Sequence, residues 1–127
     1  EIPIVFVDPL QLHQVFVNLL SNGRYALNEK FSGNDPAKQM IIELVATELD
    51  GKEYLLIKFT DNGCGIPSDI IEFLCNPFFS TKKQGEGTGL GLSISQGIIQ
   101  SFEGALRIES QEGKYTTITV ELPVYTE

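Results

Sequence analysis

The sequence is short of basic residues and has no long apolar run, and each shortage excludes a class of protein. Nine lysines and arginines stand against 17 aspartates and glutamates, which gives a formal net charge of −8. This charge argues against broad electrostatic binding to nucleic acid or to an anionic membrane. No apolar run is long enough to span a bilayer, and the first residues lack the positive start of a signal peptide. We therefore expect a soluble, cytoplasmic domain that makes no direct contact with a membrane.

Cysteine and histidine are also scarce, and this limits the available chemistry. Cys64 and Cys75 show neither a CxxC nor a Cys/His metal spacing, so a reduced setting without a disulfide framework is expected. The only histidine, His13, has no nucleophile or carboxylate at a telling spacing, so we expect it to be structural or exposed. No nucleophilic triad, zinc motif or GxxxxGK[ST] loop can be assembled.

What the sequence does contain predicts one compact domain over residues 1–127. Of these residues 42% are hydrophobic, enough to bury a core. "IPIVFVD" is read as a short strand, and a helix is expected to begin at Asp8-Pro9, an N-cap carboxylate followed by a proline at the first helical position. Its apolar stripe repeats at helical spacing and comprises Leu12, Val15, Phe16, Leu19, Gly23, Ala26 and Leu27. Residues 28 to 38 are read as a polar surface loop.

Two hairpins and two further helices complete the predicted fold. "MIIELVATEL" and "EYLLIKF" flank Asp50-Gly51, and "ALRIES" and "TTITVELP" flank "QEGK". "SDIIEFL" is read as a short helix, and a longer one is expected from Leu90 to Phe102, ended by Gly104. The result is a two-layer α/β sandwich, with a mixed, mainly antiparallel sheet and about three helices on one face.

The first helix carries two asparagines that need an explanation. In "VFVNLLSNGRYAL", Asn18 and Asn22 lie one turn apart within an apolar run. A short amide competes with the backbone for hydrogen bonds and disfavours a helix interior. The pair therefore indicates a polar face with a task of its own.

The segment "GEGTGLGLSIS" has glycines at alternate positions and leads directly into a helix. Glycine lets backbone amides approach an anion, and a helix N-terminus adds N–H groups without partners and a favourable dipole. Lys82 and Lys83 precede it and could meet a terminal phosphate. The alternative for the glycine segment is a flexible loop without a ligand, and the alternative for the two lysines is a solvated basic pair.

"TDNGCGIP" places Asp61 at the end of a predicted buried strand, followed by Gly63 and Gly65. The aspartate either terminates the strand through an Asx turn or accepts from an exocyclic amine such as that of adenine, with the glycines letting a flat ring lie against the backbone. By period two, Thr116 lies on the core side of the last strand with Ile118 and Val120, as a satisfied buried hydroxyl or as part of the same site.

Together, "NLLSNGRYAL", "DNGCGIP", "NPFFSTK" and "GEGTGLGLSIS" resemble the N, G1, F and G2 boxes of the catalytic ATP-binding domain of sensor histidine kinases. This domain has the Bergerat fold, which it shares with gyrase, Hsp90 and MutL. The resemblance covers nearly the whole chain, and four boxes in order are far more specific than any one of them.

The resemblance implies ATP and Mg²⁺ as ligands. It makes Asn22 the magnesium ligand and Asp61 the acceptor for the adenine amine, with Asn18 and Lys82 as the catalytic positions and an ATP lid over about residues 78–88. The other implied contacts are Gly63, Gly65 and Ile66 along the base, Thr116 reaching the base through water, Thr81 near the phosphates, and the backbone amides of Gly87, Thr88, Gly89, Leu90, Gly91 and Leu92 around them.

Asn18 narrows the implied reaction. Related ATPases have a glutamate general base at the matching position, and a carboxamide takes no proton at neutral pH. We therefore expect transfer of the γ-phosphoryl group to a histidine on a separate dimerisation domain, with a response regulator acting later. The alternatives are an anti-sigma-type protein-serine kinase, a nucleotide-binding module and an ATPase.

Three departures from the family pattern accompany the resemblance. Gly23 replaces the more usual alanine, and Ala26 stands where many members have an aromatic residue that stacks on adenine, while Tyr25 lies one position earlier. No phosphoacceptor histidine box precedes the domain, so the dimerisation domain is expected to be elsewhere in a longer chain.

Overall fold

The computed structural model describes residues 3–71 and 91–125. The elements in chain order are α1 Pro9–Lys30, β1 Met40–Leu49, β2 Lys52–Asp61, α2 Ser68–Ile71, α3 Gly91–Ser101, β3 Ala105–Gln111 and β4 Tyr115–Pro123. The four strands form one sheet in the order β1-β2-β4-β3, and all three neighbouring pairs are antiparallel. Since α1 and α3 contact each other and the sheet, the predicted two-layer α/β sandwich is confirmed.

Helix α1 begins as its sequence predicts. The Asp8 side chain accepts a hydrogen bond from the Leu10 N–H at 2.9 Å, and Pro9 takes the first helical position. The helix continues beyond Asn28, where a loop was predicted, because the Phe31 N–H still reaches the Leu27 carbonyl at 2.8 Å. The polar loop is therefore shorter at its start than residues 28 to 38.

The two predicted hairpins are present, and the strands of each pair antiparallel as predicted. Asp50 and Gly51 both have positive φ, 52° and 78°, which is the conformation of a type I′ turn. The turn pairs Leu49 directly with Lys52. The second hairpin joins β3 to β4 through three residues centred on Gly113, at φ 81°.

The strand predicted over "IPIVFVD" is reduced to a single β-bridge between Val5 and Val124. This run pairs with the residues that follow β4, which ends at Pro123. Beside the bridge there is one further backbone hydrogen bond between the two described segments, from the Tyr125 N–H to the Ile4 carbonyl at 2.7 Å. Apolar composition alone predicted a strand that has no partner along most of its length.

The core lies between the two helices and the inner faces of β2 and β4. Its buried members are Val15 and Leu19 of α1, Ile99 of α3, Leu55, Ile57 and Phe59 of β2, and Ile118, Val120 and Leu122 of β4. The period-two prediction for the last strand is correct, because Thr116 is 4% exposed on the same face. In the part of the chain that the structure describes, no helix combines the length and the apolar character that crossing a membrane would need.

Candidate functional site

The two asparagines of α1 are half-buried, and Asn18 contacts α3. The Asn18 side-chain N–H donates to the Ser95 hydroxyl at 3.2 Å. Ser95 lies on α3 and is fully buried. An amide that would disfavour α1 on its own therefore serves as a cross-link between the two helices.

Asp61 is a carboxylate in the interior, at the end of β2 on the core face, and is 6% exposed. Its Oδ1 accepts a hydrogen bond from the Gly63 N–H at 2.9 Å, which is the Asx turn that its sequence allows. Burial raises the pKa of Asp61, and the bond from Gly63 opposes this rise without cancelling it. A polar partner at this carboxylate would recover part of the cost of burying it.

Gly63 is required by its contact with α1. A Cβ on Gly63 would lie 2.5 Å from the carbonyl carbon of Ala26, far inside van der Waals contact. The next residue, Cys64, donates its N–H to the Ala26 carbonyl at 3.1 Å. The loop after β2 is thereby fixed against the helix.

Gly65 is required twice over. Its φ of 69° disfavours any side chain, and a Cβ would overlap the carbonyl oxygen of Gln111. At Gly63 and Gly65 the space left by the missing side chain is filled by the protein's own backbone. The contact of these glycines with a base remains a prediction.

Thr116 lies directly across the sheet from Asp61 in the β2–β4 register. Its hydroxyl is 3.0 Å from that of Ser110, which donates to the Tyr115 carbonyl at 2.6 Å and accepts the Ile66 N–H at 2.8 Å. A serine hydroxyl has one hydrogen and two lone pairs, so its bond with Thr116 must use the hydrogen of Thr116. The Thr116 oxygen is thus left as an acceptor, which suits a bridging water.

Ser110 and Ser95 are site residues that the sequence reading missed, although each lay in a readable pattern. Ser110 follows Leu106 and Ile108 at period two on the core face of β3. Ser95 stands three residues after Leu92 and four before Ile99, within the buried stripe of α3. In both cases a small polar residue occupies a position that the period assigns to the core.

The remaining predicted phosphate contacts belong in the sequence to α3 and to the segment before it. α3 begins at Gly91, and Leu92 packs against the core. Thr81, Lys82, Gly87, Thr88, Gly89 and Leu90, together with the lid predicted over residues 78–88, lie outside the described residues.

Cys64 and His13 behave as packing and surface residues. Burial raises the pKa of the Cys64 thiol, and the neighbouring Asp61 carboxylate raises it further by a smaller amount. The thiol therefore stays protonated and is a poor nucleophile. His13 is exposed on α1, in agreement with the reading of the sequence.

The donor set suits one kind of metal site. Within residues 3–71 and 91–125, no three histidine, cysteine, aspartate or glutamate side chains come together as metal ligands. A protein-only cage is therefore not built there. A single amide oxygen, such as that of Asn22, fits a magnesium ion whose other ligands are phosphate oxygens and water.

Comparison with known proteins gives relatives along almost the whole chain. Sporulation kinase E of Bacillus subtilis is 36% identical over 124 residues, which are 98% of this chain and 15% of that protein. Sensor kinase CckA of Brucella abortus is 40% identical over 124 residues, 94% of this chain and 13% of that protein. The chain therefore spans only about a seventh of the length of these relatives.

Solved structures and family models agree with these relatives. A mycobacterial sensor histidine kinase, MprB, matches 100% of this chain and 84% of the solved chain with a TM-score of 0.75 at 23% sequence identity, which shows the shared fold. The family model described as histidine kinase-, DNA gyrase B- and HSP90-like ATPase matches residues 7–126. The resemblance carried by the four boxes is thus confirmed, and the chain belongs to the family of histidine kinase-, DNA gyrase B- and HSP90-like ATPases.

Proposed function

We propose that this domain binds ATP with Mg²⁺ and transfers the γ-phosphoryl group to a histidine on a separate dimerisation domain. The observation that carries the proposal is the interior carboxylate of Asp61, at the end of β2, where the following loop contacts α1. A buried carboxylate in an ATPase-family fold calls for a donor, and the exocyclic amine of adenine supplies one.

The surroundings of Asp61 support recognition of a flat base. Gly63 and Gly65 hold the loop against α1 and β3, and the Ile66 N–H is anchored on Ser110. Thr116 offers an acceptor oxygen beside the carboxylate. The base would therefore meet a fixed arrangement of polar atoms, and little ordering entropy would be lost on binding.

At the phosphate end, α1 provides Asn22 one turn beyond Asn18. We assign the amide oxygen of Asn22 to the magnesium ion, whose charge would offset that of the phosphates. The N-terminus of α3 and the preceding glycine segment would donate N–H groups to the phosphates.

The choice of transfer over hydrolysis follows from Asn18. Its amide donates to Ser95 and has no proton-accepting nitrogen, so it cannot act as a general base for water. An imidazole brings its own lone pair: its nitrogen attacks the γ-phosphorus, the bond to the β,γ-bridging oxygen breaks, and ADP leaves. Positioning then supplies most of the catalysis.

The partners follow from this reaction. The relatives are about seven times longer than the matched region, which leaves room in such chains for a histidine-bearing dimerisation domain. We assign the first phosphorylated residue to that domain and the next to a response regulator.

The experiment combines γ-labelled ATP, Mg²⁺, this domain and the histidine-bearing domain of its parent chain. We expect label on that partner that is lost in acid and kept in alkali, as a phosphoramidate is. Acid-stable label would favour the anti-sigma-type serine kinase and contradict the proposal. A partner with its phosphoacceptor histidine replaced by glutamine is the matched control.

A further inference from the structure

Gly23 is an unusual residue for a buried position in the middle of a helix. It lies in α1 and is buried, yet its φ is not positive, so its backbone conformation does not require glycine. Glycine inside a helix is destabilising by about 1 kcal/mol relative to alanine. The reason for its presence must therefore be space.

The space at Gly23 is taken by Met40, the only methionine of the chain. A Cβ built on Gly23 would overlap the terminal methyl of Met40 and lie 3.4 Å from its sulfur. Met40 opens β1 and pairs across the sheet with Asp61. The long, unbranched side chain thus reaches under α1 from the neighbouring strand.

The same point lies beside the acceptor oxygen of the site. A Cβ on Gly23 would be 3.6 Å from Oδ2 of Asp61, while Oδ1 is the oxygen that receives the Gly63 N–H. The Met40 methyl therefore lies at the position of a Cβ on Gly23, and Oδ2 of Asp61 lies close to the same position. A ligand amine that bonds to Oδ2 would stand against this methyl.

From this geometry we propose that Gly23 and Met40 form a matched pair that builds the apolar floor of the base pocket and limits the size of the group on the amine bound by Asp61. The methyl of Met40 fills the space that the methyl of an alanine at position 23 would otherwise fill. This inference rests on the proposed binding of ATP at Asp61.

The test is a double-mutant cycle of Met40→Ala and Gly23→Ala, with the affinities for ATP and N6-methyl-ATP measured by titration calorimetry. Met40→Ala opens a hole beside Oδ2, so we expect weaker ATP binding and a roughly tenfold gain in the affinity ratio of N6-methyl-ATP to ATP. Gly23→Ala alone should weaken ATP binding, because its methyl collides with Met40. In the double variant the alanine fills the hole, so both ATP affinity and the ratio should return towards wild type.

Leu44→Ala is the matched control, since Leu44 is a half-exposed apolar residue further along β1. It should leave the ratio unchanged. If Gly23→Ala does not fold, the ratio for Met40→Ala decides alone, and circular dichroism checks that variant. Additive effects, or an unchanged ratio in Met40→Ala, would overturn the inference.

Asp61→Asn separates the two levels of the argument. If this variant binds ATP as wild type does, the proposed site itself is wrong. If it loses ATP affinity while the cycle is additive, only the pairing of Gly23 with Met40 is wrong.

Discussion

At the scale of single residues, the buried carboxylate of Asp61 lowers the stability of the fold and offers a ligand an acceptor. Its carboxylate is withdrawn from water and raised in pKa by burial, so its charged form is disfavoured in the folded protein. The hydrogen bond from the Gly63 N–H only partly offsets this effect of burial. Such a group is expected at a binding site, where a ligand supplies the hydrogen-bond donor that the fold does not provide.

Asp61→Asn should accordingly keep or increase the free energy of unfolding at neutral pH. A raised pKa in the folded state contributes stability below the ordinary value of 3.8, and this contribution is lost as the pH rises through the raised pKa. The advantage of the variant should therefore grow with pH over that interval. Urea denaturation of both proteins across the pH series measures it, with Asp69→Asn on the exposed start of α2 as control. If the stability of the variant relative to wild type falls as the pH rises, this account of Asp61 is contradicted.

Ser110→Ala should be destabilising by about 1–3 kcal/mol, because it strips partners from the Ile66 N–H, the Tyr115 carbonyl and the Thr116 hydroxyl. The exposed Ser101, whose hydroxyl bonds only to the Ile98 carbonyl, is the control and should change stability by less than about 0.5 kcal/mol on substitution by alanine. Thermal unfolding compares the two. Equal effects would show that the Ser110 network contributes little.

At the scale of elements, the contact between α1 and the loop after β2 fixes the site. The Cys64 N–H to Ala26 bond and the absence of room at Gly63 bring that loop directly onto the helix. The Asn18–Ser95 bond ties the same helix to α3. Two other segments that carry predicted ligand contacts, the loop after β2 and α3, are thus fixed against α1.

A pair of glycine substitutions tests this contact. Gly63→Ala should be destabilising by more than about 2 kcal/mol, because its methyl meets the backbone of Ala26, which cannot yield as a side chain end could. Gly97→Ala, on an exposed face of α3 with open space around it, should be stabilising by about 0.5–1 kcal/mol. Chemical denaturation gives both values. Similar effects at the two sites would contradict the tight contact.

Most elements could be predicted because their signals are local. The Asp8 cap, the Asp50-Gly51 turn and the period of β4 each depend on residues a few positions apart. The apolar run before Asp8 was misread because a strand also needs a partner, and among the described residues its partners are Val124 and Tyr125, just after the end of β4.

The four boxes name the residues of the candidate site, and the ligand contacts of these residues stay predictions. The packing around the site, which depends on neighbours across the sheet, could not be predicted. Nothing local to Met40 indicates that it reaches Gly23, and Ser110 acquires its role from Thr116 and Ile66 on other segments. These contacts come from register and helix placement, which are properties of the assembled fold.

At the scale of the whole molecule, the proposed reaction is transfer, and hydrolysis is expected to be slow. In the proposed mechanism Asn18 stands where related ATPases have a general base, and its amide donates to Ser95. The isolated domain should therefore release almost no phosphate from Mg-ATP. Asn18→Glu should raise release by at least about tenfold, which is less than the roughly hundredfold minimum that a well-placed general base typically contributes. A coupled phosphate assay compares them, and rapid release by the wild type would contradict the transfer mechanism.

The central claim, that adenine is held by Asp61, is tested most directly by calorimetric titration of the wild-type domain and its Asp61→Asn variant with Mg-ATP. Replacing the acceptor oxygen by an amide that presents N–H groups to the amine should weaken binding at least about tenfold, corresponding to roughly 1.4 kcal/mol, while the variant remains folded. Unchanged affinity in a folded Asp61→Asn domain would contradict the account.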